Sequence, residues 1–235
     1  MTPAGLPPGV GINRPFWEVA HRLVLLVSWT VFRLRRRGAE HARVPGGVLI
    51  VRNHISNKDP VLVGAGVLPR QTYFMAKIEL FRVPVLRRMI RALGAFPVRR
   101  GESDRDAIRA ARAVLAAGEA VIMFPEGTRS RDGQLRAAFP GAGLLALEPG
   151  ITVIPAAIWG SQRRLGPVRI VYGPPVDLSG IGAESKSGRA QEATRRVMAA
   201  IAELVPLAGG PPQVVPEGAP STPAHERGAD GGDVR

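Results

Sequence analysis

The densest chemical spacing in this 235-residue sequence is Asn-His-Ile-Ser-Asn-Lys-Asp-Pro, residues 53–60. His54 is one of only four histidines, and Asp59 lies five positions on, where the next helical pattern starts. Across a strand-to-helix turn, that spacing brings a carboxylate to one imidazole nitrogen. The tautomer is then fixed, and the other nitrogen is left to take a proton from a hydroxyl. A turn histidine beside an ordinary helix-start acid explains this segment equally well. A second segment, Phe-Pro-Glu-Gly-Thr-Arg-Ser at 124–130, follows another apolar run. Pro125, Gly127 and Thr128 make a tight turn whose N–H groups can face an anion. Arg129 adds charge there, and Glu126 can hold an arginine or a hydroxyl. Plain turns use the same residues. A third, Gly-Ala-Phe-Pro-Val-Arg-Arg at 94–100, ends in Arg99 and Arg100. Paired arginines at a strand end suit bidentate binding of a phosphate monoester, but this segment alone favours a solvated charge pair.

Several chemistries have no support. There is no Gly-x-Ser-x-Gly elbow for a serine acyl-enzyme and no Gly-x-x-x-x-Gly-Lys-Ser/Thr phosphate loop. No spacing of histidines and carboxylates suggests zinc. With no cysteine in the chain, disulfides, thiolate metal sites and a cysteine nucleophile are excluded. The net charge is +13, carried by 29 Arg and 3 Lys, which favours polyanions. Aromatics are only 5%, so stacking platforms for nucleic acid are poorly supplied, and no nucleic-acid partner is expected.

The elements that must position these segments alternate. Short apolar runs at 47–51, 71–76, 94–98, 120–124, 152–158 and 168–172 read as strands. Helical patterns fall at 60–68, 83–93, 104–117, 141–148 and 190–205. The alternation predicts an α/β fold with a mixed, largely parallel sheet flanked by helices. His54, Glu126 and Arg99 all follow strands directly, at the carboxyl ends where such sheets hold their sites.

Residues 1–13 read as a flexible arm without the cluster of a secretory signal. Residues 14–37 read as an amphipathic helix at a membrane interface. Its uncharged run, 23–32, is half of the roughly twenty residues a spanning helix needs, and Arg33, Arg35, Arg36 and Arg37 follow at once. A buried helix with a solvated basic end is the alternative. The domain proper is expected over 38–205, and 206–235, dense in Gly, Pro, Ala and charge, reads as a disordered tail.

In order and spacing, the blocks between about 44 and 175 resemble the 1-acylglycerol-3-phosphate O-acyltransferases and their glycerolipid relatives. The segment 53–60 resembles the family's His–four residues–Asp signature. Arg100 stands at the arginine of the second block, 124–130 is nearly identical to the third, and Val-Ile-Pro-Ala-Ala-Ile at 153–158 resembles the fourth, with Pro155 in place. Arg99 departs from the acid many members carry, and Ala138-Phe139 from their Phe-Lys.

The resemblance implies roles. His54 is the general base and Asp59 orients it, with direct attack on an acyl thioester and no covalent enzyme intermediate. Arg100, Glu126 and Gly127 hold the acceptor's phosphate and glycerol, with Thr128 and Arg129 beside them. Pro155 shapes the acyl side. No cofactor is implied beyond acyl-CoA or acyl-carrier protein as co-substrate. The partners are a membrane lipid acceptor, the thioester donor and an anionic membrane surface. The location is peripheral or monotopic, on the cytoplasmic face of the cell membrane. Another lysophospholipid or a glycolipid as acceptor, hydrolysis by the same pair, and a non-catalytic basic lipid-binding protein are the competing readings.

Overall fold

The computed structural model describes residues 10, 12–64, 72–99, 104–182 and 185–216. Its frame is a mixed seven-stranded sheet of β1 (Arg35–Arg37), β2 (Gly47–Arg52), β3 (Thr72–Lys77), β4 (Ala95–Val98), β5 (Ala120–Met123), β6 (Ile151–Trp159) and β7 (Arg169–Tyr172). The spatial order is β1-β7-β6-β2-β5-β3-β4. Every pairing is parallel except β6 with β7, which face each other antiparallel from Ala156↔Tyr172 to Trp159↔Arg169.

All six residues of β2 are buried, as a central parallel strand covered on both faces requires. Leu49 and Val51 belong to one apolar cluster, together with Val114 and Leu115 of α4 (Arg105–Ala116), Leu145 of α5 (Gly141–Ala146) and Ile201 of α6 (Lys186–Leu207). Val48 and Ile50 point the other way, among Leu62 of α2 (Asp59–Gly64) and Ile90 of α3 (Pro84–Ala92). This period-two split is the pleat of β2 feeding both layers. Its carboxyl end, which leads into Asn53 and His54, is held between β5 and β6.

Three expected boundaries move. The helix predicted over 14–37 is α1 (Arg14–Thr30), capped at its start by the Asn13 side chain, which accepts from Phe16 N at 3.1 Å. It ends before the arginines, because the chain turns at Arg33, in the left-handed region at φ 42°. Arg35–Arg37 then pair with β7 as an edge strand. Three exposed arginines carry no apolar alternation, so nothing in their side chains announces a strand; backbone pairing alone makes it.

The arm over 1–13 is not loose at its end. Val10 and Ile12 are buried, and Ile12 bridges Leu93 antiparallel. The stretch read as a tail from 206 is packed over its first residues. Helix α6 continues to Leu207, Ala208 is buried, and Gln213 bonds Gly133 O and Leu135 N at 3.1 and 2.8 Å. Residues 65–71, 100–103 and 217–235 lie outside the described residues, and with them part of the helix expected over 60–68.

Candidate active site

Where β2 ends, Asn53 fastens the chain to β6. Its Oδ1 accepts from Ile158 N at 2.9 Å and its Nδ2 donates to Ile158 O at 3.1 Å. The next residue is His54. The turn over 54–58 then brings the first residue of α2 back under the ring, so that Asp59 Oδ2 meets His54 Nδ1 at 2.9 Å. The same oxygen accepts from Ile55 N at 2.8 Å and Ser56 N at 2.9 Å. Asp59 Oδ1 accepts from the Ser161 hydroxyl at 2.6 Å. The five-residue spacing is thus the length of a turn that wraps its own carboxylate.

Asp59 is fully buried, and so is Arg52, whose guanidinium lies 3.9 Å from Asp59 Oδ2. Burial pushes the Asp59 carboxyl up. The hydrogen bond from His54, the Arg52 charge and the Ser161 hydroxyl outweigh it, and the group stays below its ordinary value. Asp59 is therefore ionised at neutral pH and orients the imidazole through Nδ1. The ring rests against Phe124, centroids 4.2 Å apart, and Arg52 lies 5.4 Å from the same ring.

His54 borders a cavity of about 510 Å³. Met75, Val98, Ile108, Met123 and Leu144 make its lining apolar, while Arg105, Arg109 and Lys186, all exposed, give it positive charge. An apolar lining edged with positive charge suits a ligand that is partly apolar and partly anionic.

The second predicted segment does not project its acid at a ligand. Glu126 is 2% exposed and is not among the cavity's lining residues. Its Oε1 accepts from His54 N at 3.0 Å and its Oε2 from Arg136 N at 2.9 Å. Ser130 N donates to His54 O at 2.7 Å. Glu126 thus pins the loop after β5 to the His54 backbone. Each of its oxygens carries one main-chain donor.

Burial pushes Glu126 up to about 7, against the two amide donors and the Arg136 charge. A carboxyl whose folded value exceeds its unfolded one contributes stability that is complete below about 4.5. That contribution is lost as pH rises through about 7, and it is worth about 3 kcal/mol over that window. Urea unfolding of wild type and Glu126→Gln from pH 5 to 8 checks this. Wild type should lose ground relative to the variant as pH rises, and parallel curves would contradict it.

Gly127 does border the cavity. Its φ of 65° and the Phe139 ring, which an added Cβ would meet at 2.7 Å, require glycine there. Thr128 and Arg129 are exposed and do not line the cavity. Pro155 is buried in β6 opposite Val51, its carbonyl accepting from Gly173 N at 2.9 Å, and it too lies off the cavity. Arg100 lies outside the described residues. Its neighbour Arg99 lines the cavity, with its amide on Asp104 Oδ2 at 2.7 Å.

The structure therefore brings His54, Asp59, Glu126 and Gly127 together. It adds Arg52, Phe124 and Ser161, which sequence reasoning missed. Ser161 stands 102 positions from Asp59, and only the register of β6 beside β2 connects them.

A family model described as Acyltransferase matches residues 33–159. A 1-acyl-sn-glycerol-3-phosphate acyltransferase of Streptococcus pneumoniae is 29% identical over 205 residues, 79% of this chain and 74% of that one. One from Bacillus subtilis is 31% identical over 143 residues, 58% of this chain and 70% of its own. The crystal structure of the 1-acyl-sn-glycerophosphate acyltransferase PlsC from Thermotoga maritima superposes with a TM-score of 0.60 at 27% identity, covering 81% of this chain and 78% of that one. With the family match spanning more than half the sequence and the fold shared with PlsC, this chain belongs to the acyltransferase family.

Proposed function

We propose that the chain transfers a fatty acyl group from acyl-CoA or acyl-carrier protein to the free hydroxyl of 1-acylglycerol 3-phosphate, giving phosphatidic acid in phospholipid synthesis. The observation that carries this is the His54–Asp59 pair at the edge of a cavity that is apolar in its lining and basic at Arg105, Arg109 and Lys186. In the reaction, the acceptor hydroxyl gives its proton to His54 as its oxygen attacks the thioester carbonyl. The tetrahedral intermediate then collapses, the C–S bond breaks, and the imidazolium returns the proton to the departing thiolate. Ionised Asp59 stabilises the imidazolium between those events. The chain's residues supply binding, orientation and proton transfer, and the only co-substrate is the thioester. Within this reading, Arg100 is the residue expected to bind the acceptor's phosphate, and Pro155 in β6 stands behind the site beside Val51.

The acceptor and product live in a bilayer, and the surface suits one. Among the described residues no helix is long and apolar enough to cross a membrane. Helix α1 nevertheless leaves Val19, Leu23, Leu26 and Trp29 exposed, Trp29 at 60%, with the arginines of β1 following. An apolar stripe next to cations docks on anionic headgroups, as at a cytoplasmic membrane face. Homologues named for the same reaction support the acceptor assignment.

The test is the purified chain with labelled acyl-CoA or acyl-carrier protein and a panel of lysolipids in anionic or neutral vesicles, with products identified by mass spectrometry. We expect labelled phosphatidic acid, formed faster on anionic vesicles. Release of free fatty acid alone, or acylation of every lysolipid except 1-acylglycerol 3-phosphate, would refute the assignment.

A further inference from the structure

We propose that Ser161 is a positioning residue of this site. Its hydroxyl, delivered by the loop after β6, grips the far oxygen of Asp59 and completes a Ser161–Asp59–His54 hydrogen-bonded chain that sets how strongly the carboxylate pulls on the imidazole. The inference rests on the acyl-transfer reading above and assigns a side chain that the four sequence blocks do not contain.

The geometry is that of a built contact. Ser161 is fully buried, and its Oγ lies 2.6 Å from Asp59 Oδ1, while Oδ2 carries His54 and two amides. The loop that brings it is fixed at both sides. Just before it, Asn53 binds both polar backbone atoms of Ile158. Gly160 then turns at φ 93°, in a bend where an added Cβ would run into Pro167 O. Just after it, Lys58 Nζ of the His54 turn donates to Arg163 O at 2.5 Å and to Arg164 O at 3.4 Å. A hydroxyl that merely filled space would not need a turn stitched to the catalytic loop on either flank.

The consequence follows from charge. A hydroxyl donating to a carboxylate draws negative charge toward itself and away from the imidazole. Without it, the Ile55 and Ser56 amides still hold Oδ2 in place, so the carboxylate stays. The negative charge no longer shared with Ser161 then favours the imidazolium. More of His54 is protonated at neutral pH and less is available as base. Among the described residues, charged groups facing the pair include Arg52 of β2 and Glu126 of the loop after β5. Bordering the same cavity are Arg99, Asp104, the α4 arginines 105, 109 and 112, and Lys186. A change at Ser161 leaves all of them as they were.

The experiment uses the full chain as wild type, Ser161→Ala and Ser161→Thr. The His54 imidazole titration is followed by NMR, its resonance identified by loss in His54→Gln. Acyl transfer from acyl-CoA to 1-acylglycerol 3-phosphate in mixed micelles is measured from pH 6 to 9. In Ser161→Ala the titration midpoint should move up by about half a pH unit, and transfer at pH 7 should fall about two- to threefold, with most of the loss recovered by pH 9. Ser161→Thr keeps the hydroxyl and should follow wild type. The proposal fails if Ser161→Ala titrates like wild type, if it loses the same fraction at every pH, or if the threonine variant is as impaired as the alanine one. Should wild type transfer no acyl group at all, the functional reading falls, and the imidazole titration still decides the coupling to Ser161.

Discussion

Replacing His54 with alanine is expected to lower acyl transfer by about 10²–10⁴-fold, the usual cost of removing a general base, while the protein stays folded. The separation of the two effects is built into the site. The contacts that tie this residue to its neighbours run through its backbone: its N–H donates to Glu126 and its carbonyl accepts from Ser130. Alanine keeps both. Asp59 loses one partner and retains Ile55 N, Ser56 N and Ser161. What vanishes is the imidazole and its packing against Phe124. Turnover measured beside the thermal midpoint and vesicle binding checks this. A His54→Ala enzyme turning over at the wild-type rate would remove the imidazole from the chemistry altogether.

The second large effect belongs to Asp59, and asparagine is the informative substitution. Its carbonyl oxygen can take the Oδ2 position and accept from His54 Nδ1, Ile55 N and Ser56 N, while its NH₂ can donate to Ser161 Oγ. Shape and hydrogen bonds survive, and the charge does not. The imidazolium then loses its counter-charge, so transfer should fall by at least about 10²-fold. Arg52, fully buried 3.9 Å away, becomes an uncompensated cation, which costs about 3 kcal/mol of stability. The pH signature is fixed in sign. The Asp59 carboxyl lies below its ordinary 3.8 in the folded protein, so wild type's advantage is complete above that value and fades as pH falls through the depressed one. Urea midpoints for Asp59→Asn and wild type should therefore differ at pH 7 and converge in acid. A variant as stable as wild type at pH 7 would mean that Arg52 finds its compensation elsewhere.

Much of this was legible in the sequence because the information was local. The run at 47–51, the turn at 53–60 and the strand ending at Phe124 each declare themselves within ten residues, so the sheet's centre was plain, while the His54–Asp59 pairing stood level with an ordinary turn until the family resemblance was added. What escaped was non-local or carried by backbone. Nothing within fifty residues of Ser161 hints that it belongs beside Asp59; that follows from β2 and β6 lying side by side in register. The main-chain amides that Glu126 binds escaped too, because no side-chain pattern advertises such partners. The strand Arg35–Arg37 was folded into a helix for the same reason. Arg52 drew no reading from the sequence, yet it is wholly enclosed and its guanidinium lies against Asp59.

The two rims of the sheet have a bearing on assembly. An open strand offers a row of backbone donors and acceptors to any other extended chain, and stacking of that kind ends in fibres. One rim is β1, three consecutive arginines, against which a second copy would set its own three like charges. The other is β4, whose Pro97 has no N–H to give. Growth beyond seven strands is thus opposed by like charge on one side and by a missing backbone donor on the other. A protein gathered at high density on a lipid surface, as proposed for this one, can crowd there without its sheets joining edge to edge.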